Sequence, residues 1–125
     1  MAYRTERQKV QGLGVSGHGA GHWWSQRVTS LALVPLTICF VFPFAQALGG
    51  TFEGVREVYG HPFNAVVAIL FLAIGFLHLQ QGIQVVIEDY VHDKRLRMVL
   101  LLANTLFTAA FGFTGIFAVA KIAFA

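Results

Sequence analysis

At 125 residues and 13.7 kDa the chain has room for one domain. Its residues are 56% hydrophobic and only 12% charged, against about 25% charged in a soluble domain, which excludes a water-soluble globule. The net charge of +3 rests on nine Lys and Arg that form no single stripe, so a nucleic-acid footprint is excluded; the lone cysteine, Cys39, excludes an internal disulfide or a Cys-rich metal site.

Residues 1–21 form a basic, Gly-rich segment expected to be flexible. Within it, Gly12-Leu13-Gly14-Val15-Ser16-Gly17 matches G-x-G-x-x-G literally. A dinucleotide fingerprint also needs a preceding strand and an acidic residue about 20 positions on. Here no Asp or Glu lies between Glu6 and Glu53, so the match is accidental.

Three uncharged stretches follow, at 28–52, 62–87 and 98–120. Each is long enough to cross ~30 Å of hydrocarbon, which takes roughly 20 residues. In lipid every backbone N–H and C=O must be paired within the segment, so all three are expected to be helices. The expected fold is an all-α integral membrane protein with spans at about 27–49, 63–88 and 97–121, within a region 22–125. Pro35 and Pro43 should kink the first span, unless Pro43 marks its end. The connections are short, so neighbouring helices should run antiparallel.

Orientation follows from the flanking charges. Arg4, Arg7, Lys9 and Arg27 precede the first span, and Lys94, Arg95 and Arg97 lie between the second and third. Only Arg56 and Lys121 fall on the other side, which places the N-terminus in the cytoplasm and the C-terminus outside. Trp23, Trp24, Tyr59 and Tyr90 occupy positions suited to interfacial anchors.

The third span carries a seam of Asn104, Thr108, Gly112 and Gly115, all within about 80° at 100° per residue. Small, weakly polar residues of this kind let another helix approach closely. The seam either packs within the chain or receives a separate protein; three helices make a poor closed bundle, which favours a partner over part of the surface.

His78 is the one histidine inside a span, about ten residues from Glu88 and so ~15 Å deep. Gly75 and Gly82 lie at i−3 and i+4, leaving the helix bare around the imidazole. Two readings stay open: an axial ligand to a haem, or a neutral histidine hydrogen-bonded to a neighbouring helix. A six-coordinate haem needs a second ligand. His18, His22, His61 and His92 all lie outside the uncharged stretches, so that ligand would come from another chain.

Glu88-Asp89-Tyr90 ends the second span, with Asp89 on nearly the same helix face as His78. A phenol beside a carboxylate could donate to a quinone carbonyl, or the group simply closes a helix at the lipid surface. Arg27 could meet a propionate or a quinone oxygen, or act only as a positive-inside anchor. Gln80, Gln81 and Gln84 form a polar strip expected to face protein, and Cys39 reads as a small buried apolar residue.

The pattern His78-x₃-Gly82-x-Gln84-Val85-x₃-Asp89-Tyr90-Val91, after His22-Trp23-Trp24-Ser25-Gln26-Arg27-Val28-Thr29, resembles the small membrane-anchor subunit of bacterial succinate dehydrogenase, alphaproteobacterial type. The resemblance runs from about His22 to the C-terminus. It implies a subunit of respiratory complex II in the bacterial inner membrane, with no flavin or dicarboxylate site of its own. Its implied partners are a second, larger anchor subunit (a cytochrome b), an iron–sulfur subunit and a flavoprotein. It implies a b-type haem shared between the anchors with His78 as one axial ligand, and Arg27 directed at the haem propionates. Ubiquinone would bind with Tyr90 as hydrogen-bond donor and Asp89 beside it. The competing readings are an anchor of a fumarate reductase and a haem-free membrane scaffold.

Overall fold

The computed structural model describes residues 5–6 and 19–125. The glycine motif at 12–17, the cations Arg4, Arg7 and Lys9, and His18 lie outside the described residues. Four helices follow: α1 (Gly19–Ala47), α2 (Phe52–Gly60), α3 (Pro62–Tyr90) and α4 (Lys94–Phe124). Among the described residues there is no strand. α1, α3 and α4 are long and apolar enough to cross a membrane, as expected from the sequence.

Two boundaries differ from that expectation. α1 begins at Gly19, about eight residues earlier than the expected span, so 19–21 is helix and not a flexible lead-in. It runs through Pro35 and Pro43 without interruption, so Pro43 does not mark its end. α1 stops where Gly49 takes φ 72°, a left-handed conformation that glycine adopts without steric cost.

The first connection is also not a simple loop. α2 is capped by Thr51, whose Oγ1 accepts from the Gly54 N–H at 3.3 Å, and Glu53 sits in its first turn. Both favour the positive end of the helix dipole. Phe52, Val55 and Tyr59 recur at helical spacing, and Tyr59 turns inward. Burial pushes the Tyr59 phenol above its ordinary range. Tyr59 is therefore a packed residue more than an exposed interfacial anchor. Asn64 Nδ2 donates to the Val58 carbonyl at 2.9 Å across His61, and the Arg56 guanidinium donates to the Ala125 carbonyl. These bonds fasten α2 to the start of α3 and the end of α4.

The second connection is tight. Asp93 caps α4 by accepting from the Leu96 N–H at 2.7 Å, and Arg97 Nε donates to the Val91 carbonyl at 2.9 Å.

The lateral order of the spans decides what they can do. α3 packs against both α1 and α4, while α1 and α4 do not touch among the described residues. The spans thus form an open row with α3 in the middle. On the α1 side, Phe40 stacks on Phe71 at 4.3 Å between ring centroids and 9° between planes.

On the α4 side the small-residue seam is occupied by this chain. Asn104, Thr108 and Gly112 are buried, and Asn104 Nδ2 donates to the Gln80 carbonyl at 2.9 Å. A Cβ at Gly112 would lie 3.2 Å from Phe76 Cβ, and one at Gly115 3.3 Å from Leu72 Cδ1. Of the two readings of the seam, packing within the chain is the one seen: α3 fills it, because glycines let α4 approach the Phe76 and Leu72 side chains. Gly112→Leu should overpack this contact at about 1–3 kcal/mol. A lower thermal midpoint of the purified protein checks this; an unchanged midpoint contradicts the close approach.

Candidate functional site

α3 presents polar groups to both neighbours because it is central. His78 and Gln81, three residues apart, face α1; Gln80 faces α4. Of the expected glutamine strip, Gln80 and Gln81 face protein on two different sides, while Gln84 bonds within α3. Gln81 Nε2 donates to Ser25 Oγ at 2.8 Å, and Gln84 Nε2 donates to the Glu88 carboxylate at 2.8 Å.

His78 is half-buried between α1 and α3. Its Nδ1 lies 2.9 Å from Thr29 Oγ1, and its Nε2 lies 3.5 Å from Gln26 Nε2. The first distance is an ordinary hydrogen bond, and the second is at the outer limit of one. Thr29 Oγ1 also lies 2.9 Å from the Ser25 carbonyl and 3.1 Å from the Gln26 carbonyl. The flanking glycines look toward α1: a Cβ at Gly82 would meet Gln26 Nε2 at 3.6 Å, and one at Gly75 would meet Leu33 Cδ2 at 3.9 Å. These are ordinary van der Waals separations, so the glycines leave slack beside the imidazole and do not force the helices together.

Among the described residues, the buried polar atoms His22 Nε2, Gln26 Oε1 and Gln81 Oε1 have no hydrogen-bond partner. His22 is helical and half-buried, one turn from Gln26 along α1. Ser25, Gln26 and Thr29 belong to the motif quoted above but have no role assigned from sequence, although their i, i+1, i+4 spacing in an apolar helix marks one polar face.

The remaining predicted residues lie apart from His78. Asp89 and Tyr90 end α3, with Tyr90 about 18 Å from His78 along the helix axis. Both are exposed, Tyr90 at 79%, and no side-chain hydrogen bond joins them among the described residues. The phenol and carboxylate are thus both turned away from the chain. Arg27 is exposed on α1, its guanidinium 5.2 Å from the centre of the Trp23 ring, and Trp23 stacks on Trp24 at 5.9 Å. Gln26 lies opposite Gly82, so Arg27 sits about one turn from His78 toward the Tyr90 end. Cys39 is exposed, not buried as expected, because no described helix packs on its face of α1.

Among the described residues no three His, Cys, Asp or Glu side chains form a cluster able to hold a metal ion. A lone imidazole at depth instead suits a metal that brings most of its own ligands.

Comparison with known proteins agrees with a membrane-spanning chain. The chain is 36% identical over 90 residues to the succinate dehydrogenase hydrophobic membrane anchor subunit of Paracoccus denitrificans, covering 72% of this chain and 70% of that one. It is 29% identical over 105 residues to the protein of the same name from Rickettsia typhi, covering 84% of each. The Rickettsia felis protein of that name is 33% identical over 89 residues, covering 71% of this chain and 74% of the other. No solved structure gives a significant match. With three spans and bacterial membrane-anchor relatives, the chain is a multi-pass protein of the bacterial inner membrane. The profile described as succinate dehydrogenase/fumarate reductase transmembrane subunit matches residues 1–112, and the chain belongs to that family.

Proposed function

We propose that the chain is a membrane anchor of succinate:ubiquinone oxidoreductase that supplies one axial ligand of a b-type haem and one wall of the ubiquinone site. The observation that carries this reading is the placement of His78: an imidazole at depth, bonded firmly at Nδ1 and weakly at Nε2. That donor chemistry fits haem iron, which takes a neutral imidazole through one nitrogen while the other is held by a hydrogen bond. The open row of helices supports the partner part of the reading. Most large apolar side chains of α1 and α4 are exposed, and neither helix closes on the other.

Bound there, the haem would supply a one-electron carrier. His78 would hold the iron from this chain, and a second anchor subunit would supply the opposite ligand. Arg27 would balance negative charge near the haem edge or the quinone, with the Trp23 ring fixing its guanidinium. Tyr90 would donate its O–H to a quinone carbonyl, and Asp89 would orient that phenol and help deliver a proton. The iron–sulfur subunit would close the remaining side of the quinone site, with the flavoprotein beyond it. Alone, the chain would have no succinate-oxidising activity.

Deleting the gene is expected to move dye-linked succinate oxidation from the membrane to the soluble fraction, and restoring the chain should return it. Dye-linked activity that stays on membranes lacking this chain would end the anchor reading.

The charge asymmetry also supports an orientation with the N-terminus in the cytoplasm. Reporter fusions at Tyr59, Lys94 and Ala125 are expected to read outside, inside and outside. An inside reading at Ala125 would invert the topology and put Tyr90 on the wrong face for cytoplasmic partners.

A further inference from the structure

We infer that Thr29 sets the tautomer of His78, keeping the proton on Nδ1 and reserving the Nε2 lone pair for iron; this rests on the haem reading above. Thr29 is only 8% exposed and faces α3 from α1. A hydroxyl carries a single proton. The Ser25 and Gln26 carbonyls, at 2.9 and 3.1 Å, are acceptors in the preceding turn of α1 and take that proton, as threonines in apolar helices commonly do. The oxygen lone pairs are then free to accept from Nδ1–H at 2.9 Å.

The other side of the ring is held less firmly. Nε2 lies 3.5 Å from the Gln26 amide, at the outer limit of a hydrogen bond, so no firm contact claims that nitrogen. The strong contact is thus at the nitrogen that keeps its proton, and the weak one at the nitrogen that would meet the metal. Gln26 Oε1 is buried without a partner, so no second bond pins the amide and it can turn away from Nε2. Thr29 has no such freedom. It is β-branched, buried and bonded back to its own helix, which makes it a rigid support for the imidazole.

Thr29 is therefore a positioning residue that acts through His78. An acceptor on the distal N–H fixes the ring and makes the ligating nitrogen more basic, and its removal typically costs about 10–100-fold in metal affinity. A more basic imidazole also favours the ferric state, so Thr29 should hold the haem potential down.

The test uses the intact complex carrying Thr29→Val, which keeps the β-branch and removes the hydroxyl, with Thr29→Ser as the conservative variant. Thr29→Val is expected to retain haem about 10–100-fold less tightly, to raise its midpoint potential and to alter its low-spin resonance, and Thr29→Ser should restore all three. Unchanged retention, potential and resonance in Thr29→Val would overturn the inference. If the Val variant does not assemble, Thr29→Ser decides: a native potential and resonance support the hydroxyl's role, and a shifted potential overturns it. His78→Ala separates the two claims. If it leaves the haem spectrum intact the ligand reading itself fails, whereas a spectrum lost in His78→Ala but native in Thr29→Val removes only the role of Thr29.

Discussion

His78→Ala is expected to abolish the low-spin b-haem signal of the assembled complex, while succinate oxidation by a dye that draws electrons from the soluble subunits continues. Donors are scarce at that depth. A six-coordinate haem needs two strong axial donors, and among the described residues His78 is the one histidine near the middle of a membrane-crossing helix. Met98 does not replace it, since it lies in the second turn of α4 and not at the depth of His78. The substitution also removes the partner of Thr29 Oγ1 and the neighbour of Gln26 Nε2. Thr29 retains its carbonyl acceptors, so the cost to packing should be modest and the anchor should still reach the membrane. Optical spectra and a redox titration of the purified variant check this. A native low-spin spectrum would remove His78 as a ligand.

Tyr90→Phe is expected to cut succinate–ubiquinone turnover about 10²–10³-fold, the usual loss when one donor to a developing oxyanion is removed, or about 2.7–4 kcal/mol. The ring remains, so only the O–H is tested. Tyr90 is 79% exposed at the end of α3, so its hydroxyl is available to a group outside the chain. The haem spectrum should survive, since His78 lies about 18 Å away along the helix. Asp89→Asn should act in the same direction with a smaller effect, because it alters the phenol's neighbour and not the donor. If quinone and dye activities fall together, or quinone turnover stays normal, Tyr90 is an interface residue only.

The spans were legible because a membrane helix is written in plain composition: no Asp, Glu, Lys or Arg over more than twenty residues. The start of α1 was less so. Gly19 and Gly21 are poor helix formers by about 1 kcal/mol each, and nothing local announces that the helix continues through them. α2 was missed because nine mixed residues resemble a loop, although Thr51 as cap and the spacing of Phe52, Val55 and Tyr59 were visible.

The lateral order of the helices was not legible at all. Composition says that each segment spans, not which neighbour it meets. The seam of Asn104, Thr108, Gly112 and Gly115 was recognisable as a close-packing surface, yet whether Phe76 of this chain or a helix of another filled it depended on that order. The same holds for His78. Its depth and flanking glycines were readable, whereas its bond to Thr29 required α1 to lie antiparallel beside α3 in one particular register. Asp89 and Tyr90 could be placed along the sequence but not paired, since both side chains are exposed at the end of α3, and the contact of Arg27 with Trp23 is local to α1.

Whether this chain carries half of a haem site is decided by a pyridine haemochrome spectrum of the complex captured through a tag on it, with the co-purifying subunits weighed by mass spectrometry. One b-type haem per copy of the chain is expected, together with a second anchor, an iron–sulfur protein and a flavoprotein. A complex that contains those subunits but no haem would contradict the role of His78 and leave this chain a structural anchor alone.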